Sequence, residues 1–186
     1  MPAPTRRRAA VATVAVAAVV MAVALPLFQP WRLFTGKVVD EALPGADRIS
    51  MTTSSSAPPT ISAGRGQTAS QRLATGRFIS HEHDTAGTAS ILKLPNGSRV
   101  LRLEALDTSD GPDLEVWLSD AKVVAGRAGW HVFDDGAHHS LGQLKGTQGN
   151  QNYAIPTSLD LTGFSSVSIW CNRFNVSFGA AELAPA

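Results

Sequence analysis

Cys171 is the residue of this 186-residue chain best suited to redox or ligand chemistry, because a thiolate is both a nucleophile and a metal ligand. It is the sole cysteine and lies in the apolar, aromatic-flanked stretch 168–174. With no second cysteine, the chain can neither form an internal disulfide nor resolve a sulfenic acid within itself. Three roles remain open: a buried small hydrophobe, an intermolecular disulfide, or a redox or ligand thiol.

His81 and His83 are the second set of residues that could do chemistry. Residues two apart on a strand point to the same side, so the two imidazoles would bind a metal together, with Glu82 on the opposite face and Asp84 nearby. The alternative is a polar loop that follows the apolar pair 78–79 and binds nothing.

The sequence requires no cofactor, but it leaves a haem or a metal open. The Cys-x-x-Cys-His motif for covalent haem is absent. A noncovalent haem would use Cys171 with His81 or His83 as axial ligands. Blue copper is disfavoured, because no histidine follows Cys171 and the three methionines lie outside the predicted domain.

Motifs for acid–base or nucleophilic catalysis are missing, so an enzyme is the less expected class. The chain has no Gly-x-Ser-x-Gly and no His-Glu-x-x-His sequence. Asp107, Asp110 and Asp113 cluster around Gly111 and Pro112, where aspartates are typical of turns. Their spacing matches no calcium loop. The adjacent histidines at 138–139 follow an acidic, glycine-containing stretch typical of an exposed turn.

Charge divides unevenly along the chain and disfavours nucleic acid as a partner. Residues 1–74 hold eight basic and three acidic residues, whereas residues 75–186 hold eight basic and twelve acidic ones. Nucleic-acid affinity depends on phosphate neutralisation by cations. The acidic C-terminal part is therefore not expected to bind nucleic acid.

The first 30 residues predict a membrane anchor or a signal segment. A basic cluster at 6–8 precedes 20 uncharged, mostly apolar residues, 9–28, which is the length of a bilayer-spanning helix. The basic side is expected to stay in the cytoplasm. Residues 22–24 offer a small-x-small cleavage pattern, but the apolar run continues to Trp31 and Arg32, which favours a retained anchor. The expectation is a single-pass protein of the cytoplasmic membrane with its C-terminal domain outside.

Residues 31–74 are predicted to join the anchor to the domain. Residues 29–47 could form a short membrane-adjacent helix. Residues 51–75 are rich in Ser, Thr, Ala, Pro and Gly and have too little apolar surface to offset the entropy of ordering. We therefore expect a juxtamembrane segment and a flexible spacer.

Residues 75–184 predict one all-β domain, an antiparallel sandwich or barrel-like fold. Residues 99–106 alternate polar and apolar side chains, and the preceding Pro-Asn-Gly-Ser at 95–98 is typical of a hairpin turn. No window of this part has a sustained helical period. The other predicted strands include residues 88–94, 113–118, 141–144, 152–155, 166–171 and 174–178.

Strand alternation also predicts which way Cys171 points. Val167 and Ile169 share one face of the strand 166–171, and Cys171 continues that face into the core. Trp170 points the other way and is expected to be partly exposed. Arg173 would lie on the cysteine's face if the strand continued, where it could favour the thiolate.

Four ordered stretches of this chain resemble the DM-thirteen family, the Skeletor-type electron-transfer domain. Residues 76–89, with His81, resemble the opening hairpin. Residues 111–118, beginning Gly111, Pro112, Asp113, look like the central strand. Residues 141–146 and 149–156 are similar to the version common in bacterial members. Residues 166–179, with Trp170 and Cys171, look like the closing segment.

The resemblance implies an all-β domain and a redox role for Cys171, as a bare thiol or as a ligand to a prosthetic group. Larger family members pair this domain with other electron-transfer modules; no such module is expected within these 186 residues, so electron transfer to a separate partner is expected rather than a chain of modules in one polypeptide. The sequence thus favours a membrane-anchored extracytoplasmic protein with a redox or electron-transfer role and an unnamed redox or envelope partner. One alternative is a non-enzymatic envelope domain that binds protein or glycan and has a structural cysteine. Another is a metal-binding accessory protein that uses His81 and His83.

Overall fold

The computed structural model describes residues 36–44 and 69–186, and this part of the chain is built of short strands. Their bounds are β1 Val38–Asp40, β2 Gln71–Ser80, β3 Ala86–Lys93, β4 Arg99–Asp107, β5 Leu114–Ser119, β6 His138–Gln143, β7 Gln148–Ile155, β8 Ser166–Cys171, β9 Val176–Glu182 and β10 Ala184–Pro185. A single turn of 3-10 helix, Arg127–Gly129, is the one helical element in the described part. The predicted all-β class is therefore confirmed.

The strands form one curled, mixed sheet in the order β1-β7-β4-β3-β2-β9-β8-β5-β6, with β10 beside β2. Strand β2 connects two parts of the sheet, one formed by β1, β7, β4 and β3 and the other by β9, β8, β5 and β6. Its first part pairs with β3, and its last three residues pair with β9. Apart from the parallel pair β1–β7, the neighbours are antiparallel. The curled sheet forms a half-barrel, which has an inner and an outer face.

The predicted hairpin between β3 and β4 is confirmed. Leu94 N–H donates to the Ser98 carbonyl at 2.8 Å, and Gly97 adopts a φ of 83°, which glycine tolerates without steric cost. The Asn96 side chain accepts a hydrogen bond from the Ser98 amide at 3.0 Å. Turn chemistry visible in the sequence thus fixes the register of β3 and β4.

Two apolar clusters lie on opposite faces of the part of the sheet that β5, β8 and β9 form. The inner cluster fills the curl and includes Leu101, Val116, Ile169, Cys171 and Phe178. The outer cluster consists of Trp117, Phe133, Trp170 and Ala180, with the segment 120–137 packed over it. Strands β5 and β8 send alternate residues to the two clusters, because side chains alternate across a sheet.

The expected short helix within residues 29–47 is wrong for the residues described. Val38–Asp40 is instead a strand that pairs with β7, and Lys145 Nζ binds the Glu41 carboxylate at 2.8 Å. The hydrogen-bonding edge of β7 holds this segment extended, and so distant a partner leaves no local signal in the sequence. Strand β2 begins at Gln71, inside the stretch expected to be spacer.

The predicted transmembrane helix falls at residues outside the described ranges. Among the residues that are described, no helix is both long and apolar enough to cross a membrane.

Candidate functional site

Cys171 ends β8 and is fully buried, at 0 % exposure. It pairs across the sheet with Leu114 of β5 on one side and Val176 of β9 on the other. All three residues belong to the inner cluster. The prediction that Cys171 faces the core is confirmed, and its thiol cannot meet a reagent unless the fold opens locally.

Trp170 is buried, which corrects the expectation that it is partly exposed. Its exposure is 1 %, and its ring stacks on Trp117 and meets the edge of Phe133. Alternation placed Trp170 on the correct face, opposite Cys171. The segment 120–137 covers that face, and strand periodicity does not reveal such a cover.

Arg173 does not lie on the face of Cys171. Strand β8 stops at Cys171, and residues 172–175 form an exposed turn in which Asn175 has a φ of 49°. The Phe174 amide donates to the Cys171 carbonyl at 3.3 Å and closes this turn. Arg173 therefore lies in solvent and provides no cation on the core side of the thiol.

The motif residues Gly111, Pro112 and Asp113 close the end of the half-barrel beside Cys171. The Asp113 carbonyl accepts the Asn172 amide at 3.0 Å, which ties the start of β5 to the end of β8. A Cβ at Gly111 would lie 2.9 Å from the Phe178 ring, so only glycine fits there without a shift. The motif packs and braces the inner cluster near the cysteine.

His81 is buried and joins a chain of polar side chains on the outer face. Its Nδ1 lies 2.9 Å from the Ser177 hydroxyl, which accepts a hydrogen bond from Ser168 at 2.9 Å. The ring packs against Phe133 at 5.7 Å between centroids. Its Nε2 has no hydrogen-bond partner of good geometry among the described residues. Burial lowers the pKa of His81, and the nearby Val124 backbone offsets this only in part.

His83 packs in a different place from His81. Its ring lies over Phe178 of the inner cluster at 3.9 Å between centroids, and its Nε2 is 3.9 Å from a Glu82 carboxylate oxygen. Strand β2 ends at Ser80, so the two-residue alternation assumed for this pair does not extend to them. The described residues contain no group of three or more His, Cys, Asp or Glu side chains arranged for a metal.

The donor geometry does not fit a haem held by Cys171 and His81. The thiol belongs to the inner cluster, whereas His81 contacts the outer one, so the β8–β9 layer separates the two ligands. His83 lies on the side of the thiol but sits at the rim, half-buried. Of three surface hollows in the described part, Cys171 lines none.

The structure also brings together aromatic and acidic side chains whose contact the sequence did not predict. The exposed His138 ring stacks on Trp117, whose indole Nε1 donates to the Glu115 carboxylate at 2.8 Å. Trp117 in turn stacks on Trp170. The available signal was the pair Glu115 and Trp117 on one face of a predicted strand. Its stacking partners come from β6 and β8, whose pairing with β5 was not predicted.

Comparison with known proteins identifies the family. A search of curated proteins found no match, and neither did a search of solved structures. The family model described as "Electron transfer DM13" matches residues 77–183, which is more than half of the chain. The matched segment covers the strands around both clusters, from the end of β2 through β9, and includes Cys171. This chain belongs to the DM13 family of electron-transfer domains.

Proposed function

We propose that the protein is anchored in the cytoplasmic membrane by residues 9–28 and that its DM13 domain works in electron transfer outside it, with Cys171 as the redox group. The match of the electron-transfer family to residues 77–183 carries the proposal. The anchor is supported by the apolar run and its basic flank. The partner is a redox protein of the cell envelope.

The geometry restricts how Cys171 can act. Thiol–disulfide exchange needs a thiolate to reach the partner's sulfur, and the Cys171 thiol is fully enclosed. The chain has no second cysteine with which to form a disulfide. Electrons must therefore pass between Cys171 and the surface through the protein rather than by contact of a partner with the sulfur.

The experiment is a visible absorption spectrum and a thiol-reagent titration of the full-length protein in detergent, native and unfolded. We expect slow labelling of the native protein and complete labelling after unfolding. Electron exchange with a one-electron mediator is then compared between wild type and Cys171→Ala. A variant that exchanges electrons as fast as wild type would show that Cys171 is not the redox group.

The second candidate function is a non-enzymatic envelope domain that binds a protein or a glycan, with Cys171 as a packing residue. The observation in its favour is the complete burial of the thiol among aliphatic and aromatic side chains. Buried, unreactive cysteines commonly behave as small hydrophobes. The metal-accessory alternative lacks such support, because His81 and His83 pack against different clusters.

A further inference from the structure

A stack of aromatic rings leads from the surface of the domain to the residue next to Cys171. His138 is exposed, and the centroid of its ring lies 4.3 Å from that of the Trp117 ring. The two ring planes are nearly parallel, with an angle of 5° between them. Trp117 is 7 % exposed. The centroids of the Trp117 and Trp170 rings are 5.0 Å apart, and the angle between the ring planes is 24°. Trp170 is covered completely and precedes Cys171 in β8. The π systems are in direct contact over the whole path, which favours movement of an electron between them.

Trp117 has a proton acceptor already in place. Its indole N–H donates to Glu115 Oε2 at 2.8 Å, a distance suited to direct proton transfer. Ser140 donates to the same oxygen at 2.6 Å, and Gln143 donates to the other at 3.2 Å. The carboxylate is thus held at the indole nitrogen by residues of the neighbouring strand β6.

Glu115 is in the protonation state that the transfer needs. Burial raises the pKa of Glu115, but the hydrogen bonds from Ser140, Trp117 and Asn172 together outweigh burial and hold the pKa below its ordinary value. The group is therefore a carboxylate at neutral pH. By contrast, Cys171 is buried among the apolar side chains of the inner cluster.

We propose that Trp117 is the residue through which this domain exchanges an electron with its partner, with Glu115 as the acceptor of the indole proton. The partner protein docks over His138 and has an oxidised, high-potential metal centre. This centre takes one electron from Trp117, and its oxidation state falls by one. The N–H bond breaks, the proton passes to Glu115 Oε2, and a neutral tryptophanyl radical on Trp117 remains. A returning electron restores the indole as Glu115 gives back the proton. This inference rests on the proposed electron-transfer function and names its surface group.

The test is photochemical oxidation of the full-length protein in detergent by ruthenium(III) tris-bipyridyl, generated by a light flash with a sacrificial quencher. Transient absorption and electron paramagnetic resonance report tryptophan radicals. We expect a neutral radical in wild type and loss of most of that signal in Trp117→Phe. Trp130→Phe is the matched control, because Trp130 is a partly buried tryptophan outside the stack, and it should keep the signal.

Glu115→Gln separates proton transfer from packing. Glutamine still accepts the indole hydrogen bond but cannot take the proton, so the radical should remain a protonated cation with its own absorption band. An unchanged yield in Trp117→Phe, or a neutral radical in Glu115→Gln, would overturn the inference. Thermal unfolding checks that each variant is folded. The Cys171→Ala comparison distinguishes the two proposals. If wild type forms no tryptophan radical but Cys171→Ala still slows electron exchange, only this inference is contradicted. If wild type forms the neutral radical but Cys171→Ala exchanges electrons as fast as wild type, only the role of the cysteine is contradicted.

Discussion

The inner and outer clusters are built from alternate residues of the same strands, yet they differ in chemistry. Around Cys171 the inner cluster is mainly aliphatic, and the residues that pair with the cysteine, Leu114 and Val176, have no polar side-chain atoms. The outer cluster is mainly aromatic and touches a hydrogen-bonded chain of His81, Ser177 and Ser168. The inner cluster thus encloses the thiol proposed as the redox group in apolar packing, whereas the outer cluster contains the aromatic groups proposed to exchange electrons at the surface, and an acidic group hydrogen-bonded to it is proposed to take up the proton.

The largest effect is expected from removal of Trp170, the centre of the outer cluster. Trp170→Ala should lower the free energy of unfolding by about 3–5 kcal/mol, because a fully buried indole is replaced by a cavity. Chemical denaturation measures it. Phe174→Ala, at a 63 % exposed aromatic residue, is the control and should stay within about 0.5 kcal/mol of wild type. A small effect at Trp170 would mean that the outer cluster does not contribute to the fold.

The next largest effect concerns the closed end of the inner cluster. Gly111→Ala should destabilise the domain by about 1–3 kcal/mol, because the added methyl would lie 2.9 Å from Phe178 and 3.0 Å from Leu114. Gly163→Ala is the control, since a Cβ there meets nothing within 4 Å. Equal stability of the two variants in denaturant titrations would contradict the packing described for the Gly111 turn.

Cys171 itself should matter modestly for stability. Cys171→Ala removes one buried heavy atom and should cost about 1 kcal/mol, close to the value of a buried methylene. Equilibrium unfolding of the variant is the measurement. Strong loss of electron exchange together with this small loss of stability would assign the cysteine a redox role. Loss of stability alone would assign it to packing.

The smallest effect is a pH dependence that belongs to the outer face. Burial lowers the pKa of His81 from its ordinary value of 6.5, so the unfolded chain takes up the proton at a higher pH than the native one. The contribution of neutral His81 is complete above about pH 6.5 and is lost as the pH falls below it, until the lower native pKa is passed.

Denaturation of wild type and His81→Asn between pH 5 and 8 isolates this contribution from the carboxylates, which titrate alike in both proteins. Asparagine keeps a polar side chain beside Ser177 but has no proton to gain. The difference between the two stability curves should therefore slope below pH 6.5. A difference that does not depend on pH would mean that His81 is not desolvated as the structure describes.

Local patterns were sufficient for several features of the domain. The hairpin at Pro95–Ser98 follows from turn residues, and the inward direction of Cys171 follows from its phase with Val167 and Ile169. The prediction that Trp170 is partly exposed was wrong, because residues 120–137 cover its side chain. This segment is irregular and has no periodic signal in the sequence. The pairing of His81 with His83 was unsupported because β2 ends before them.

By itself, the sequence determined the all-β class, the family, and which face of β8 the cysteine occupies, since these depend on period-two alternation and short motifs. Only the tertiary structure decided that β1 pairs with β7 in the sheet, that Trp170 is buried, and that the Trp117 ring stacks between those of His138 and Trp170. The physical reason is that local alternation is set by backbone geometry, whereas contacts between distant strands depend on how the whole sheet curls and on which segment covers its outer face.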